Sequence, residues 1–212
     1  QAESPDEGAF VAAARNLGFS FCRRNMKDIF LRVQDWKSSQ VVGSGVEKKW
    51  TILNVNPFDN NRKRTSVVVE DEAGKKLLLV KGADTSIMPF VDHGRCPFFT
   101  ETQKHIDKFG DQGLRTLAFA GRELSDADYA EWNKRFVQAS LLSQGREDAL
   151  RQAASEIEEC HGEPGRQSAI FDSSTPYTAS LVLHGVTALE DKLQENVGNC
   201  IAQLAKAMIK IW

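Results

Sequence analysis

An α+β fold, an antiparallel β-sheet flanked by helices, is what the sequence predicts, and three observations predict it. β-rich runs lie next to one another and are joined by short turns, the clearest pair being residues 65–69 and 77–80; such neighbours favour hairpins and antiparallel pairing. Stretches of helical periodicity carry their own start signals and stand apart from those runs, so no repeating βαβ unit emerges. The 212 residues are 41% hydrophobic and 26% charged, enough to bury a core without a disulfide or metal staple.

Taken in order, the elements justify themselves. Ser4, Pro5 and Glu7 form a capping box, with Ser at the N-cap, Pro at the first helical position and Glu three residues after the cap. Phe10, Ala13, Ala14 and Leu17 then share one helix face, and Gly18 closes the helix. Residues 19–22 and 29–33 read as strands, and the polar, Gly-bearing stretch 37–48 as a hairpin tip or an edge. Residues 50–55 alternate as a strand; Asn56 to Asn61 then read as a turn. A loop of about four to six residues, 70–75, closes the 65–69/77–80 hairpin.

Beyond it, Thr100 with Gln103 reads as the cap of a helix ending near Gly110 or Gly113, and residues 114–124 as a strand. Ser125 caps a helix carrying Tyr129, Trp132, Phe136 and Ala139 at helical spacing, and residues 147–160 extend it or form a second helix. Residues 162–174 read as loop and 179–186 as a strong strand. A last helix starts near Asp191 with Leu193, Val197, Ile201, Leu204 and Met208 as its expected buried stripe. Met208 to Trp212 reads as the start of another strand. With Gln1 rather than Met at the front, the expectation is a piece of something longer.

Composition narrows the function classes. Lys and Arg number 27 against 29 Asp and Glu, which argues against a general nucleic-acid or anionic-membrane binder. No apolar run approaches the roughly 18–20 residues of a spanning helix, so the expectation is a soluble body. Cys22, Cys96, Cys160 and Cys200 are scattered, which reads as reduced thiols in a cytosolic protein. His93, Cys96, Cys160 and His161 lack the short ligand pairs of a zinc site. No P-loop, G-x-S-x-G elbow, H-E-x-x-H helix or G-x-G-x-x-G fingerprint is present. The carboxylates of residues 156–159 read as a solvated helix face. Nothing pairs an evident nucleophile with its base, so a self-sufficient enzyme is not expected.

Five segments, in order and at matching spacing, nevertheless share one resemblance. They are SPDEGA at 4–9, NVNPFDNNRKRTS at 54–66, KGAD at 81–84, GLRTL at 113–117 and LEDKLQ at 189–194. Together they resemble the nucleotide-binding domain of a type IV P-type ATPase, the phospholipid flippase group. KGAD or SPDE alone would be weak evidence; five spread over most of the chain are strong. The RKR-T-S and EDKLQE segments favour flippases over cation pumps.

The resemblance assigns roles residue by residue. Phe58, taken alone, reads as a loop aromatic folded onto the sheet; the family uses the matching Phe as the apolar face on which adenine stacks. Glu7 has its capping role, and the resemblance adds an acceptor for the adenine amino group. Lys81, otherwise an ordinary snorkelling Lys, is implied at the mouth of the adenine pocket, with Gly82 letting backbone approach the ligand. Arg115, otherwise a surface ion pair, is implied to contact phosphate oxygens through its guanidinium fork, and Asn60 to bond to the nucleotide. Glu190, Asp191 and Lys192 fall at the implied hinge, where Asp191 can also serve simply as a helix N-cap with Gln194. Arg62-Lys63-Arg64 reads alone as a solvated run; in the family it lies beside the pocket. Asn196-Val197-Gly198 stands where the family commonly has Gly-Val-Pro.

These assignments imply an N-domain-like fold, with residues 1–188 as the nucleotide-binding domain, lacking its first elements, and 189–212 as hinge and start of the phosphorylation domain. ATP is the implied substrate, bound without hydrolysis by the fragment and delivered to an aspartate outside it. Mg²⁺ is implied for the parent enzyme, mostly bound outside this segment. The implied partners are the phosphorylation and actuator domains and an accessory flippase subunit, with no nucleic acid and no membrane embedding of the fragment itself. The implied location is the cytosolic face of an integral membrane protein. The alternatives are a degenerate N-domain kept as an interaction module and a cation-pump N-domain.

Overall fold

A computed structural model describes residues 4–34, 45–159, 181–191 and 195–211. Among these, seven strands form a single antiparallel sheet whose spatial order follows the chain: β1 (Phe19–Arg24), β2 (Asp28–Gln34), β3 (Gly45–Asp59), β4 (Arg64–Glu70), β5 (Lys76–Gly82), β6 (Arg115–Leu124) and β7 (Val182–Leu189). Helices interrupt the meander. α1 (Pro5–Asn16) precedes it, α2 (Asp84–Ile87) and α3 (Phe99–Asp111) separate β5 from β6, α4 (Asp126–Ser140) and α5 (Arg146–Glu158) separate β6 from β7, and α6 (Val197–Lys206) follows it. The α+β expectation holds.

Several elements form for the reasons legible in the sequence. Ser4 Oγ accepts the Glu7 N–H at 3.3 Å to start α1, and Gly18, at φ +88°, ends it. The Ser125 hydroxyl accepts the Asp128 N–H at 3.1 Å to start α4. In the β4–β5 loop, Asp71 Oδ1 accepts the N–H groups of Ala73 and Lys75, and Gly74 supplies the positive φ of +81°.

One sheet face carries the core. Val68, Leu78, Val80, Ala118 and Ala120 meet Ile87 of α2, Trp132 of α4 and Ile157 of α5. Alternation along the strands puts these residues on a common side. Trp132 is wholly buried, and its indole donates to the Ala153 carbonyl at 2.8 Å, joining α4 to α5. The opposite face is more thinly covered; α1 reaches it with Phe10, edge-on to Phe119 of β6 at 5.6 Å between ring centroids.

The structure departs from the sequence reading at identifiable places. Residues 56–61 are not one turn: β3 continues to Asp59, with a register irregularity between Asn56 and Asp59. Pro57, which has no N–H to offer a ladder, is accommodated at that bulge. The turn proper is residues 60–63, closed by Lys63 N–H on the Asp59 carbonyl at 2.7 Å, with Lys63 at φ +52°. α3 starts at Phe99 with Phe98 as an N-cap lacking a side-chain bond, so Thr100 is not its cap. Gly145, at φ +68°, separates α4 from α5, and residues 146–158 are a second helix rather than an extension.

α6 begins at Val197 after Asn196, not at Asp191, and none of its residues is buried: Val197 and Ile201 stand exposed, as does Met208 beyond its end. The expected stripe is therefore present without a surface to cover it among the described residues. Residues 209–211 take no strand pairing among the described residues. Residues 45–48 of the expected loop belong to β3. The expectations for residues 37–44, the 162–174 loop, residues 179 and 180, Cys160, Leu193 and Gln194 fall outside the described residues.

The largest correction concerns charge. Glu158 is not on a solvated face: it is 1% exposed, as are the supposedly solvated Arg62 and Arg64 nearly so, at 6% and 3%. Arg62 Nη1 donates to both Glu158 oxygens at 2.5 and 2.8 Å, Arg64 Nε donates at 2.7 Å and the Ser66 hydroxyl at 2.5 Å. Arg64 also donates to Glu159 and, at 3.1 Å, to the Ser86 carbonyl of α2. Each ion in such a cluster costs several kcal/mol to desolvate, and only complete pairing offsets that.

Two tests follow from these anchors. Glu158→Ala leaves two buried guanidinium groups without their shared carboxylate and is expected to cost about 3–5 kcal/mol in a urea unfolding curve; an unchanged midpoint contradicts the cluster. Asp59 is the second. Its carboxyl is held below the usual range by the Arg62 N–H, with Arg151 and the Asn61 N–H adding to that against the opposing effect of burial. A lowered native pKa means that its stabilisation is in place above about pH 4 and is lost as the pH falls through the native value. The midpoint difference between wild type and Asp59→Asn should stay constant from neutrality to mildly acid pH and close below about pH 4; a gap that persists there contradicts it.

Candidate functional site

Of the residues singled out from the sequence, Glu7, Lys81, Arg115 and Asp191 gather at one end of the sheet, around the first turn of α1. Lys81, near the end of β5, pairs in register with Thr65 of β4 and Phe119 of β6, so the three side chains share the face that α1 covers. The Lys81 ammonium donates to the Glu7 carboxylate and lies 5.2 Å from the centre of the Phe10 ring. Glu7 thus turns toward the sheet instead of back to the Ser4 amide; only the serine half of the capping box is formed. α1 is docked by the same residues that build the site.

Arg115 opens β6 and reaches the same corner. Its Nη1 donates to Asp6 Oδ2 and its Nη2 to Asp191 Oδ2, each at 2.6 Å. Its hydrogen bond to Asp6, then the charges of Asp191 and Asp6, raise its pKa above the ordinary arginine value. Asp191 therefore anchors the end of β7 to the start of α1 and does not cap α6. Glu190 is exposed beside it, and Lys192 lies outside the described residues.

Phe58 and Asn60 belong to the neighbouring hairpin. Asn56 and Asp59 pair with Ser66 and Arg64, which brings Phe58 alongside Thr65, and Thr65 pairs with Lys81. Phe58 is therefore two strands from Lys81, about 10 Å at ordinary strand spacing. It is 61% exposed, a large ring held in water. Asn60 is exposed in the turn. The turn is fastened to the KGA segment: the Ala83 N–H donates to the Lys63 carbonyl at 3.2 Å. A Cβ at Gly82 would stand 2.6 Å from that same carbonyl and 2.5 Å from Arg64 Cβ. The glycine thus permits close approach of β5 to the hairpin.

A cavity of about 320 Å³ lies between β3 and the α4–α5 pair, walled by Pro57 and Phe58 of β3, Phe136 of α4, and Leu150, Arg151 and Ala154 of α5. It touches none of Glu7, Lys81 or Arg115. Its main charged groups are already paired, Arg151 with Asp59 and Asp148, Arg62 with Glu158. Among the described residues, no group of three or more His, Cys, Asp or Glu is placed to hold a metal ion.

Sequence reasoning passed over Asp6, Phe10, Arg151 and Glu158. A signal existed for part of this: Arg64 and Ser66 alternate along β4 and so share a strand face, with Arg62 in the turn just before it. Their common partner lies more than ninety residues away in sequence, where spacing carries no information.

Comparisons with known proteins identify the family. A family model described as P-type ATPase, cytoplasmic domain N, matches residues 1–196. Phospholipid-transporting ATPase 10 of Arabidopsis thaliana is 40% identical across all of this chain, which covers 16% of that relative. Phospholipid-transporting ATPase IC of Homo sapiens is 39% identical across all of it, covering 14%, and the probable phospholipid-transporting ATPase 5 of Arabidopsis thaliana is 38% identical, covering 15%. The chain spans about a seventh of the length of these relatives. By the matching model and by these whole-chain identities, the chain belongs to the family of P-type ATPase cytoplasmic N domains.

Proposed function

We propose that this chain is the ATP-holding domain of a phospholipid-translocating P-type ATPase, with residues 1–188 as the nucleotide-binding unit and 189–212 as hinge and entry to the phosphorylation domain. The observation that carries the reading is the cluster of Glu7, Lys81 and Arg115 on one sheet corner, with the exposed Phe58 ring two strands away. The base stacks on Phe58. Glu7 accepts from the adenine amino group, Asn60 adds a polar contact at the turn, and Lys81 lies toward the ribose and phosphates. Arg115 engages the phosphates, which compete for its guanidinium with Asp6 and Asp191. Glu190, Asp191 and Lys192 form the hinge.

Phosphoryl transfer is mostly positioning and charge stabilisation. This domain positions the nucleotide; the accepting aspartate lies outside it, so the chain binds ATP without hydrolysing it. Mg²⁺ neutralises phosphate charge when bound, and in this reading its ligands lie mostly on the parent's other domains. The phosphorylation and actuator domains, and an accessory subunit, are the proposed partners at the cytosolic face of an integral membrane protein.

Calorimetry on the 212-residue chain tests the reading. ATP is expected to bind saturably, and at ten times Kd to stabilise the fold by about 1.4 kcal/mol. Phe58→Ala should weaken binding about tenfold or more, the worth of one stacked base. GTP should bind less well, because its carbonyl faces the Glu7 carboxylate. Binding indifferent to Phe58→Ala, or phosphate release that survives further purification, contradicts it.

A further inference from the structure

Phe58 is exposed, yet both of its neighbours are fastened to the same helix. On one side, Arg62 Nη2 donates to the Pro57 carbonyl at 2.6 Å. Nη1 of the same guanidinium is held by both oxygens of Glu158, the buried last residue of α5. On the other side, Asp59 Oδ1 accepts the N–H groups of Asn61 and Arg62, and Oδ2 accepts from Arg151 Nε at 2.9 Å. Arg151 and Glu158 are seven residues apart on α5, two turns along one face. The bulge leaves Pro57 and Phe58 outside the regular β3–β4 register. α5 therefore anchors this segment from both sides of Phe58.

We propose that α5 positions the base-stacking ring: Glu158 acting through Arg62 on Pro57, and Arg151 acting on Asp59, set how Phe58 is presented to a nucleotide. Arg62 and Arg151 are positioning residues. The inference rests on the nucleotide reading of Phe58 and extends it to residues that touch no part of the ligand. An arginine is needed at 62 because two nitrogens of one planar fork span Glu158 and the Pro57 carbonyl at once. A lysine offers a single nitrogen, which stays with the buried carboxylate and releases the carbonyl. A ring held in its binding position spares the cost of ordering it on association.

The test measures ATP affinity of Arg62→Lys and Arg151→Met in the wild-type and Phe58→Ala backgrounds, by calorimetry and, for weak binding, by NMR titration at high nucleotide concentration. In the wild-type background, Arg62→Lys should weaken ATP binding about tenfold and Arg151→Met about threefold. In the Phe58→Ala background neither should weaken it further, because the ring through which they act is gone. A merely structural role would not produce that dependence, since general loosening also weakens the contacts of Lys81 and Arg115. Unchanged affinity in folded variants, or losses that persist undiminished without the ring, overturns the proposal. Where Arg62→Lys loses its cooperative melt, Arg151→Met decides alone, because its pair with Asp59 lies at the half-exposed edge. Wild-type binding that is sensitive to Phe58→Ala but indifferent to both arginine variants overturns this inference alone; no wild-type binding at all overturns the nucleotide reading and this with it.

Discussion

A carboxylate taken fully out of water, Glu158, holds together three parts of the chain that have little else in common. It ends α5, it accepts from Arg62 in the turn before β4, and it accepts from Arg64 and Ser66 of β4 itself. Arg64 carries the connection on to the Ser86 carbonyl, and its guanidinium lies 4.9 Å from the Phe90 ring centre. Arg62 carries it back to Pro57. Remove the carboxylate and two desolvated cations remain, which is why a cluster of this kind specifies one arrangement even where its net stabilisation is small. The bulge at Pro57–Phe58, the turn of residues 60–63 and the seating of α5 all depend on it.

The other face of the sheet is organised by charge at its surface. α1 is amphipathic only weakly and buries no residue completely. Its place is set by Phe10 on Phe119 and by two acid–base contacts, Glu7 with Lys81 and Asp6 with Arg115. Asp191, at the end of β7, closes the same group. Because these pairs are partly exposed, each is individually modest and open to exchange. A stiff, buried hairpin anchor on one side and an exchangeable ion network on the other are what the site consists of.

How much of this was legible in the sequence differs by type of interaction. Local chemistry was legible: Ser4 and Ser125 as caps, Gly18 as the end of α1, the β4–β5 hairpin, the separate helix candidates. Lys81, Arg115 and Phe58 were singled out through family resemblance and not through spacing, and their nucleotide roles belong to the proposal. What failed was the sign of burial for charged residues. Arg62, Arg64 and Glu158 read as solvated because most such residues are, and nothing local distinguishes the exception. The turn at Phe58 failed for a related reason: Pro57 argues against a strand unless a bulge takes it, and the bulge is secured from α5. The α6 stripe was correctly periodic but has no partner surface among the described residues.

The central claim is that nucleotide is held on the α1 face, between the Phe58 ring and the Glu7–Lys81–Arg115 corner, and not in the cavity between β3 and α4–α5. Backbone-amide NMR of the 212-residue chain titrated with ATP would test it most directly. The account predicts saturable shifts at residues 6–10, 58–60, 81–83, 115–119 and 191, with Phe136, Leu150 and Ala154 essentially unmoved. Shifts concentrated on Phe136, Leu150 and Ala154, with the α1 corner silent, would contradict it.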